Sequence, residues 1–327
     1  MLWPGSASWR SGGIPDPVQA HVGRLLAEAE SHERRGERRA AASFYQAALK
    51  AAQEAGQLPS EFRPPLERAQ RFLRQAAEEY EAHLERVLAR TEAGPRFTEA
   101  VDILLGRKAV QLQQPSAFYF PGLPQRPFYA REEFPWAPRL ESETAAIRAE
   151  LQALVGDEAA FQPYVEAERN RPTQDFHGML GDPSWGAFYL WRDGALVEEN
   201  AARCPRTVEA LSKVPMTRIG ARTPSVLFSL LRPGAHIPPH TGMLNSRLIC
   251  HLPLVVPPGC WLRAGNEVRA WEEGKLLIFD DSFEHEARNP SDALRVILLF
   301  DIWKPELSEA ERAGVSTLFE AIDGFGG

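Results

Sequence analysis

From Ser225 onward the chain is a succession of short apolar runs cut apart by turn signals, a pattern that few folds accept. The runs lie near 225–232, 246–254, 260–264, 267–271, 274–280 and 294–303. Pro233-Gly234, Pro257-Pro258-Gly259, Gly265-Asn266 and Asn289-Pro290 separate them. Short β-prone runs between such turns predict strands rolled into a barrel or jelly roll. Alternation then assigns faces, because successive strand residues point to opposite sides. On 246–254, Leu248, Cys250, Leu252 and Leu254 share an ordinary core face, and Arg247, Ile249 and His251 share the other. Two polar groups inside an apolar run are costly unless they meet partners, and a bound carboxylate would be one.

Upstream the periodicity is helical. Between Val18 and Ala55, Leu25, Leu26 and Ala29 form one apolar stripe. Ala40, Ala41, Phe44, Ala47, Ala48 and Ala51 form a second, with Gly36 at the turn between them. Small residues facing a Phe-Tyr pair fit either one tetratricopeptide-type hairpin or a plain antiparallel helix pair. Pro59, Pro64 and Pro65 break the pattern, and a long amphipathic helix is predicted from about Leu66 to Arg90. One repeat and one helix fall short of the roughly three repeats a solenoid needs. This region is therefore expected to dock on the rest of the chain, on a second subunit or on a partner protein. Composition changes near Gln114, and aromatics and prolines dominate from Phe118 to Trp136. Helical periodicity returns over 140–155, a strand is predicted in the run ending at Asp193-Gly194, and a short helix over Thr207–Ser212. The expected organisation is α+β: a flexible N-terminus over 1–17, a helical, tetratricopeptide-like region over 18–113 and a β-domain over 114–327.

A net charge of −7 gives no reason to expect nucleic-acid binding. The three cysteines, Cys204, Cys250 and Cys260, lack paired metal-type spacing and fit a reducing compartment. No apolar run approaches the ~20 residues that span a bilayer, and the N-terminus lacks the apolar core of a signal peptide. The expected location is the cytoplasm.

Three residues carry the chemistry. His240 lies in HIPPHTG, His285 follows the run KLLIFDD, and Arg295 comes ten residues later on LRVILLFDIW. Two distant histidines on adjacent β-type runs, then this arginine, have the spacing of a non-haem iron oxygenase that uses 2-oxoglutarate. Two neutral imidazoles hold Fe(II) with positions left open for co-substrate and O₂. A fixed guanidinium clamps a dicarboxylate through paired charge-assisted hydrogen bonds. Asp280, Asp281, Glu284 and Glu286 surround His285 with carboxylates. His236 would chelate with His240 on a helix, but Pro238 and Pro239 forbid one, so His236 is expected in a loop or at the rim. Ser229 shares a face with Leu227 and Leu231, where its hydroxyl either bonds backbone or serves the site. Arg295 shares a face with Ile297 and Leu299 and needs an anion, either a bound one or an internal Asp or Glu.

The segments PGAHIPPHTGMLNSRLICHLPL, GNEVRAWEEGKLLIFDDSFEHEARN and LRVILLFDIWKPEL, with FYFPGL, FPW and AFYLW before them, strongly resemble the aspartyl/asparaginyl β-hydroxylases over roughly 118–310. The resemblance implies a double-stranded β-helix (jelly-roll, cupin-like) core and a dioxygenase that couples decarboxylation of 2-oxoglutarate to hydroxylation by O₂. It implies His240 and His285 as the iron ligands, with no coordinating carboxylate. Gly242 stands where most related oxygenases carry an Asp, and an Asp introduced there is expected to reach the metal. The resemblance further implies Ser229, His251 and Arg295 as the 2-oxoglutarate site, with Arg295 on the distal carboxylate. It casts Asp281 as an acidic residue beside the metal that orients a water or ligand. Arg247, on the strand with His251, is a further candidate for the co-substrate's carboxylates. One departure stands out: the animal peptide hydroxylases carry a second arginine where this chain has Ile249. The expected substrate is an aspartyl, asparaginyl or similar residue of a protein or peptide. The alternatives are a lipid acyl chain or small molecule, and a non-catalytic helical scaffold with a vestigial core.

Overall fold

The computed structural model describes residues 17–156, 160–167 and 176–325. The flexible segment expected over 1–17 lies, but for its last residue, outside the described residues. The chain divides into two compact units, Met1–Arg107 and Lys108–Gly327. The division precedes the 113/114 boundary read from composition, because Gln113 and Gln114 already belong to the β-unit. Gln113 Nε2 donates to Asp280 Oδ2 at 2.8 Å, and Gln114 N donates to Ser282 O at 2.7 Å.

The first unit contains helices α1 (Pro17–Arg34), α2 (Arg38–Ala55), α3 (Arg63–Leu88) and α4 (Pro95–Leu104). Val22, Leu26 and Ala29 of α1, Ala41, Tyr45 and Ala48 of α2, and Ala69 and Phe72 of α3 close one core. Alanines at the facing positions let the helices approach, and Gly36 takes the left-handed φ of 75° that turns α1 into α2. The Tyr45 hydroxyl, buried in this core, donates to Glu33 Oε2 at 2.6 Å. Pro64 and Pro65 do not delay α3 as expected; they sit in its first turn, where the missing N–H would have no intrahelical partner. The contacts show an antiparallel pair with a third helix against it, and nothing in them is particular to a tetratricopeptide repeat. Helix α4 was not anticipated.

The second unit holds β1 (Phe128–Tyr129), α5 (Ala137–Ser142), α6 (Thr144–Val155), β2 (Gln162–Pro163), β3 (Trp185–Arg192), β4 (Ala195–Leu196), α7 (Glu198–Arg203) and α8 (Pro205–Leu211). Then follow β5 (Val226–Leu231), β6 (His236–His240), β7 (Arg247–Val255), β8 (Trp261–Ala264), β9 (Glu267–Ala270), β10 (Leu277–Phe279), β11 (His285–Arg288), β12 (Arg295–Trp303) and α9 (Glu309–Asp323). The larger antiparallel sheet runs β1-β10-β7-β12-β5-β3-β2, with β4 on β3; the smaller runs β6-β11-β8-β9. The chain is thus α+β, helices followed by antiparallel sheets.

Alternation along the central strands builds two cores. Leu248, Cys250, Leu252, Leu298 and Phe300 pack with Ile147, Leu151 and Leu211 of the helices. Ile249 and Phe279 face the other way and pack with Ile237, Leu262, Ala264 and Ala287 of the smaller sheet. The candidate chemistry therefore lies on the face between the sheets.

Two strands depart from the sequence expectation. HIPPH is not a loop but strand β6, paired with β11 through His240 opposite His285 and Ile237 opposite Ala287. Two prolines are tolerated because β6 is the edge of its sheet, where a missing N–H removes no second ladder. The run expected over 274–280 pairs only over Leu277–Phe279, so residues 280–284 form a loop and His285 begins a strand of its own. Helix α9 was also unanticipated; Ser308 and Glu311 form its capping box, an S-x-x-E signal present in the sequence.

Candidate active site

Pairing of β6 with β11 sets His240 directly opposite His285, with ring centroids 4.1 Å apart. His240 Nδ1 lies 2.7 Å from Pro238 O, and His285 Nδ1 lies 3.0 Å from Phe283 O. A carbonyl only accepts, so each Nδ1 carries the proton and each Nε2 is left with a lone pair. Burial, then the neighbouring His240, pushes His285 down to about 3, and burial also lowers His240. Both rings are neutral donors that could hold a metal ion. Among the described residues, no group of three or more His, Cys, Asp or Glu is placed to hold one.

The two rings open into a cavity of about 280 Å³ that Ser229, Arg247, His251, Asp281 and Arg295 also line. Every site candidate read from the sequence reaches this one space. Arg295 is 1% exposed. Its Nη1 donates to Ser229 O at 3.2 Å, its guanidinium lies over Trp271 at 5.0 Å, and its buried Nε has no partner. Burial lowers it to about 10, and no carboxylate among the described residues offsets this. Of the two anions considered for it, the internal Asp or Glu is not there. The Ser229 hydroxyl is bonded by Trp185 Nε1 at 3.1 Å rather than by backbone. His251 has the opposite tautomer to the facing pair. Trp271 Nε1, which can only donate, lies 3.2 Å from His251 Nδ1, so Nε2 carries the proton. Burial, then Arg295, holds His251 well below the ordinary imidazole range.

Arg247 meets carboxylates of the chain itself. Its Nη2 donates to Asp281 Oδ2 at 3.1 Å and its Nη1 to Asp301 Oδ2 at 3.3 Å. Burial opposes its charge, but Asp281 and Asp301 hold its pKa above the usual value. The charge that seemed to require a bound carboxylate is balanced internally. Burial raises Asp281 to about 6 despite Arg247 beside it, and its Oδ1 is buried without a partner. Asp301 escaped the sequence reading although alternation places it on the face of Arg295, Ile297 and Leu299, two residues beyond where that reading stopped. His236 is at the rim, its Nε2 2.7 Å from Glu286 Oε2.

The loop that carries Asp281 is pinned by a buried network. Lys304 Nζ donates to Asp280 Oδ2 at 2.5 Å, both side chains being fully buried, and Ser282 N and Oγ donate to Asp280 Oδ1 at 3.0 and 2.6 Å. Gly242 N donates to Asp281 O at 2.6 Å. A Cβ at Gly242 would overlap the Asp281 carboxylate. That corrects the expectation for an Asp at 242: the room it needs is taken.

The site residues fall within a stretch that also matches known proteins. The family model described as aspartyl/asparaginyl beta-hydroxylase matches residues 141–305, just over half of the chain. Human aspartyl/asparaginyl beta-hydroxylase is 43% identical over 135 residues, 41% of this chain and 18% of that protein. The ornithine lipid ester-linked acyl 2-hydroxylase of Rhizobium tropici is 37% identical over 187 residues, 56% of this chain and 63% of that protein. The chain thus spans less than two thirds of the length of either. A cupin 2 conserved barrel domain protein from Salinispora arenicola aligns over 46% of this chain and 98% of that one, at 12% identity and a TM-score of 0.25, too low to carry an argument. The match over 141–305 encloses the facing histidines, the buried Arg295 and the loop of Asp281, and on it the chain belongs to the aspartyl/asparaginyl β-hydroxylase family, a hydroxylase family of 2-oxoglutarate-dependent dioxygenases.

Proposed function

We propose that this protein is an Fe(II)- and 2-oxoglutarate-dependent dioxygenase that converts an unactivated C–H bond to C–OH. One molecule each of 2-oxoglutarate and O₂ is consumed; one oxygen atom enters the product, the other enters succinate, and CO₂ leaves. The observation that carries this reading is the pairing, in one cavity, of two neutral imidazoles with a fully buried guanidinium that has no carboxylate partner among the described residues. A buried charge persists only if something compensates it, and a dicarboxylate co-substrate is the partner of the right charge and shape.

The residues fit both absent groups. His240 and His285 would hold the iron through Nε2, each ring fixed by its Nδ1–H bond to a carbonyl, a contact that sets both tautomer and orientation. Arg295 would take the distal carboxylate of 2-oxoglutarate, with the Ser229 hydroxyl and the His251 Nε2–H as further donors. Asp281, anchored through Oδ2 to Arg247, keeps Oδ1 as an acceptor for a water or ligand beside the two imidazoles. Ile237, Phe279 and Leu299 line the same space with apolar surface. When bound, the iron supplies the redox chemistry; the protein positions the reactants and limits solvent.

The strand order of the two antiparallel sheets supports a double-stranded β-helix for the β-unit, and three free, buried cysteines fit a cytoplasmic setting. No described helix is long and apolar enough to cross a membrane. The helical unit is proposed as a docking region, tetratricopeptide-like or not. Succinate release from 2-oxoglutarate with added Fe(II) tests the reaction; its absence under anaerobic-reconstituted, O₂-supplied conditions would refute it.

A further inference from the structure

Arg295 and His251 reach the cavity from neighbouring strands, and one side chain touches both. Arg295 opens β12; His251 lies on β7 opposite Leu299, four residues further along β12. Trp271 follows β9 and is buried in the core between the sheets. Its indole Nε1 lies 3.2 Å from His251 Nδ1, and its ring lies 5.0 Å from the Arg295 guanidinium. The two contacts differ in effect. Burial, then the Arg295 charge, keeps the His251 imidazole neutral, so one proton is shared out between two nitrogens. With the proton on Nε2 the ring donates to the cavity. With the proton on Nδ1 it presents a lone pair there, which repels a carboxylate oxygen. An indole N–H never accepts, so only the Nε2–H form makes a hydrogen bond with Trp271. Phe279 packs edge-on against the same imidazole, with ring centroids 5.1 Å apart, and limits its tilt. Arg295 meets the indole differently: a desolvated guanidinium over an aromatic face is held by the ring quadrupole. Its Nη1 bond to Ser229 O fixes the other end of the same group.

Granted the co-substrate site proposed above, we infer that Trp271 is a positioning residue for 2-oxoglutarate, fixing His251 as a donor through its N–H and seating Arg295 with its ring face. Trp271 needs no contact with the co-substrate itself. One side chain sets the direction of two groups that meet carboxylate oxygens, and the hydrogen bond and the ring contact are separable by substitution.

Two measurements test this. The first is long-range ¹H–¹⁵N correlation of the histidine rings in the metal-free protein, which reads tautomers without turnover. The parent protein is expected to hold His251 in the Nε2–H form, and Trp271→Phe, which keeps a ring but removes the N–H, to admit the Nδ1–H form. An Nδ1–H ring in the parent overturns the inference with no variant needed, and so does an unchanged single tautomer in Trp271→Phe. The second is calorimetric titration of 2-oxoglutarate into the anaerobic Fe(II)-loaded protein. Trp271→Phe is expected to weaken binding about tenfold, the net size of one hydrogen bond to a charged system. Trp271→Leu, which also removes the ring face, is expected to weaken it further. In a His251→Phe background the N–H has nothing to fix, and Trp271→Phe is expected to cost nothing more; an equal cost in both backgrounds marks a merely structural role and overturns the inference. Affinity unchanged in both Trp271 variants also overturns it. No binding by the parent protein overturns the co-substrate site itself, a different failure that the tautomer spectra do not share.

Discussion

The carboxylate of Asp281 occupies the space into which a side chain at Gly242 would project. A Cβ there would overlap Oδ2 and Cγ of Asp281 and stand 2.7 Å from Oδ1. The segment after His240 and the loop before His285 are therefore fitted to each other, and the glycine is required by contact rather than by backbone conformation. A chain with this loop has no room for an H-x-D carboxylate two residues after His240.

Gly242→Asp and Gly242→Ala are each expected to lower the melting temperature, since overpacking a closed site costs about 1–3 kcal/mol. Combining either with Asp281→Gly is expected to recover only part of the loss, since the overlap is relieved but Arg247 loses its bond to Asp281. Thermal unfolding of the four variants and the parent protein measures this, and a single variant as stable as the parent would contradict the packing described.

Arg295→Ala is expected to raise the KM for 2-oxoglutarate, and Arg295→Lys to restore it in part. Removing one partner of a buried charged contact costs about 2–5 kcal/mol, at least about a thirtyfold change in affinity. Steady-state kinetics in 2-oxoglutarate check it. An unchanged KM would assign Arg295 a structural task instead.

Much of this site was legible in the sequence because strands make it so. A period of two assigns Arg247, Ile249 and His251 to one face without knowledge of the partner strand. The same rule, carried two residues further, would have found Asp301. What local pattern could not supply was pairing across long separations. That HIPPH is an edge strand depends on β11, and that Arg247 is neutralised depends on Asp281 and Asp301, 34 and 54 residues away. Tautomers were equally hidden, since they follow from whether a ring nitrogen meets a carbonyl or an indole N–H. The helical unit was read from its alanine stripes, but the start of α3 moved from Leu66 to Arg63 because proline in a first turn does not interrupt a helix.

Lys304→Met is expected to destabilise the fold by about 3–5 kcal/mol, because it leaves the fully buried Asp280 carboxylate without its cation. Lys304→Met with Asp280→Asn is expected to recover part of that loss, Ser282 N and Oγ still donating to the amide oxygen. Urea unfolding of the two variants decides; equal stability of Lys304→Met and the parent would mean that the pair contributes nothing.

His240→Ala and His285→Ala are each expected to lose metal, since one imidazole is left where two face each other. Iron content after anaerobic reconstitution and desalting provides the measurement. A variant that retains stoichiometric iron would remove that histidine from the site.

The most direct test of the account is succinate formation from 2-oxoglutarate by the Fe(II)-reconstituted protein in the presence of O₂, compared with His285→Ala under the same conditions. Succinate with equimolar CO₂ from the parent protein, and none above background from the variant, is the predicted result. Equal succinate from both, or none from a folded, iron-loaded parent protein, would contradict it.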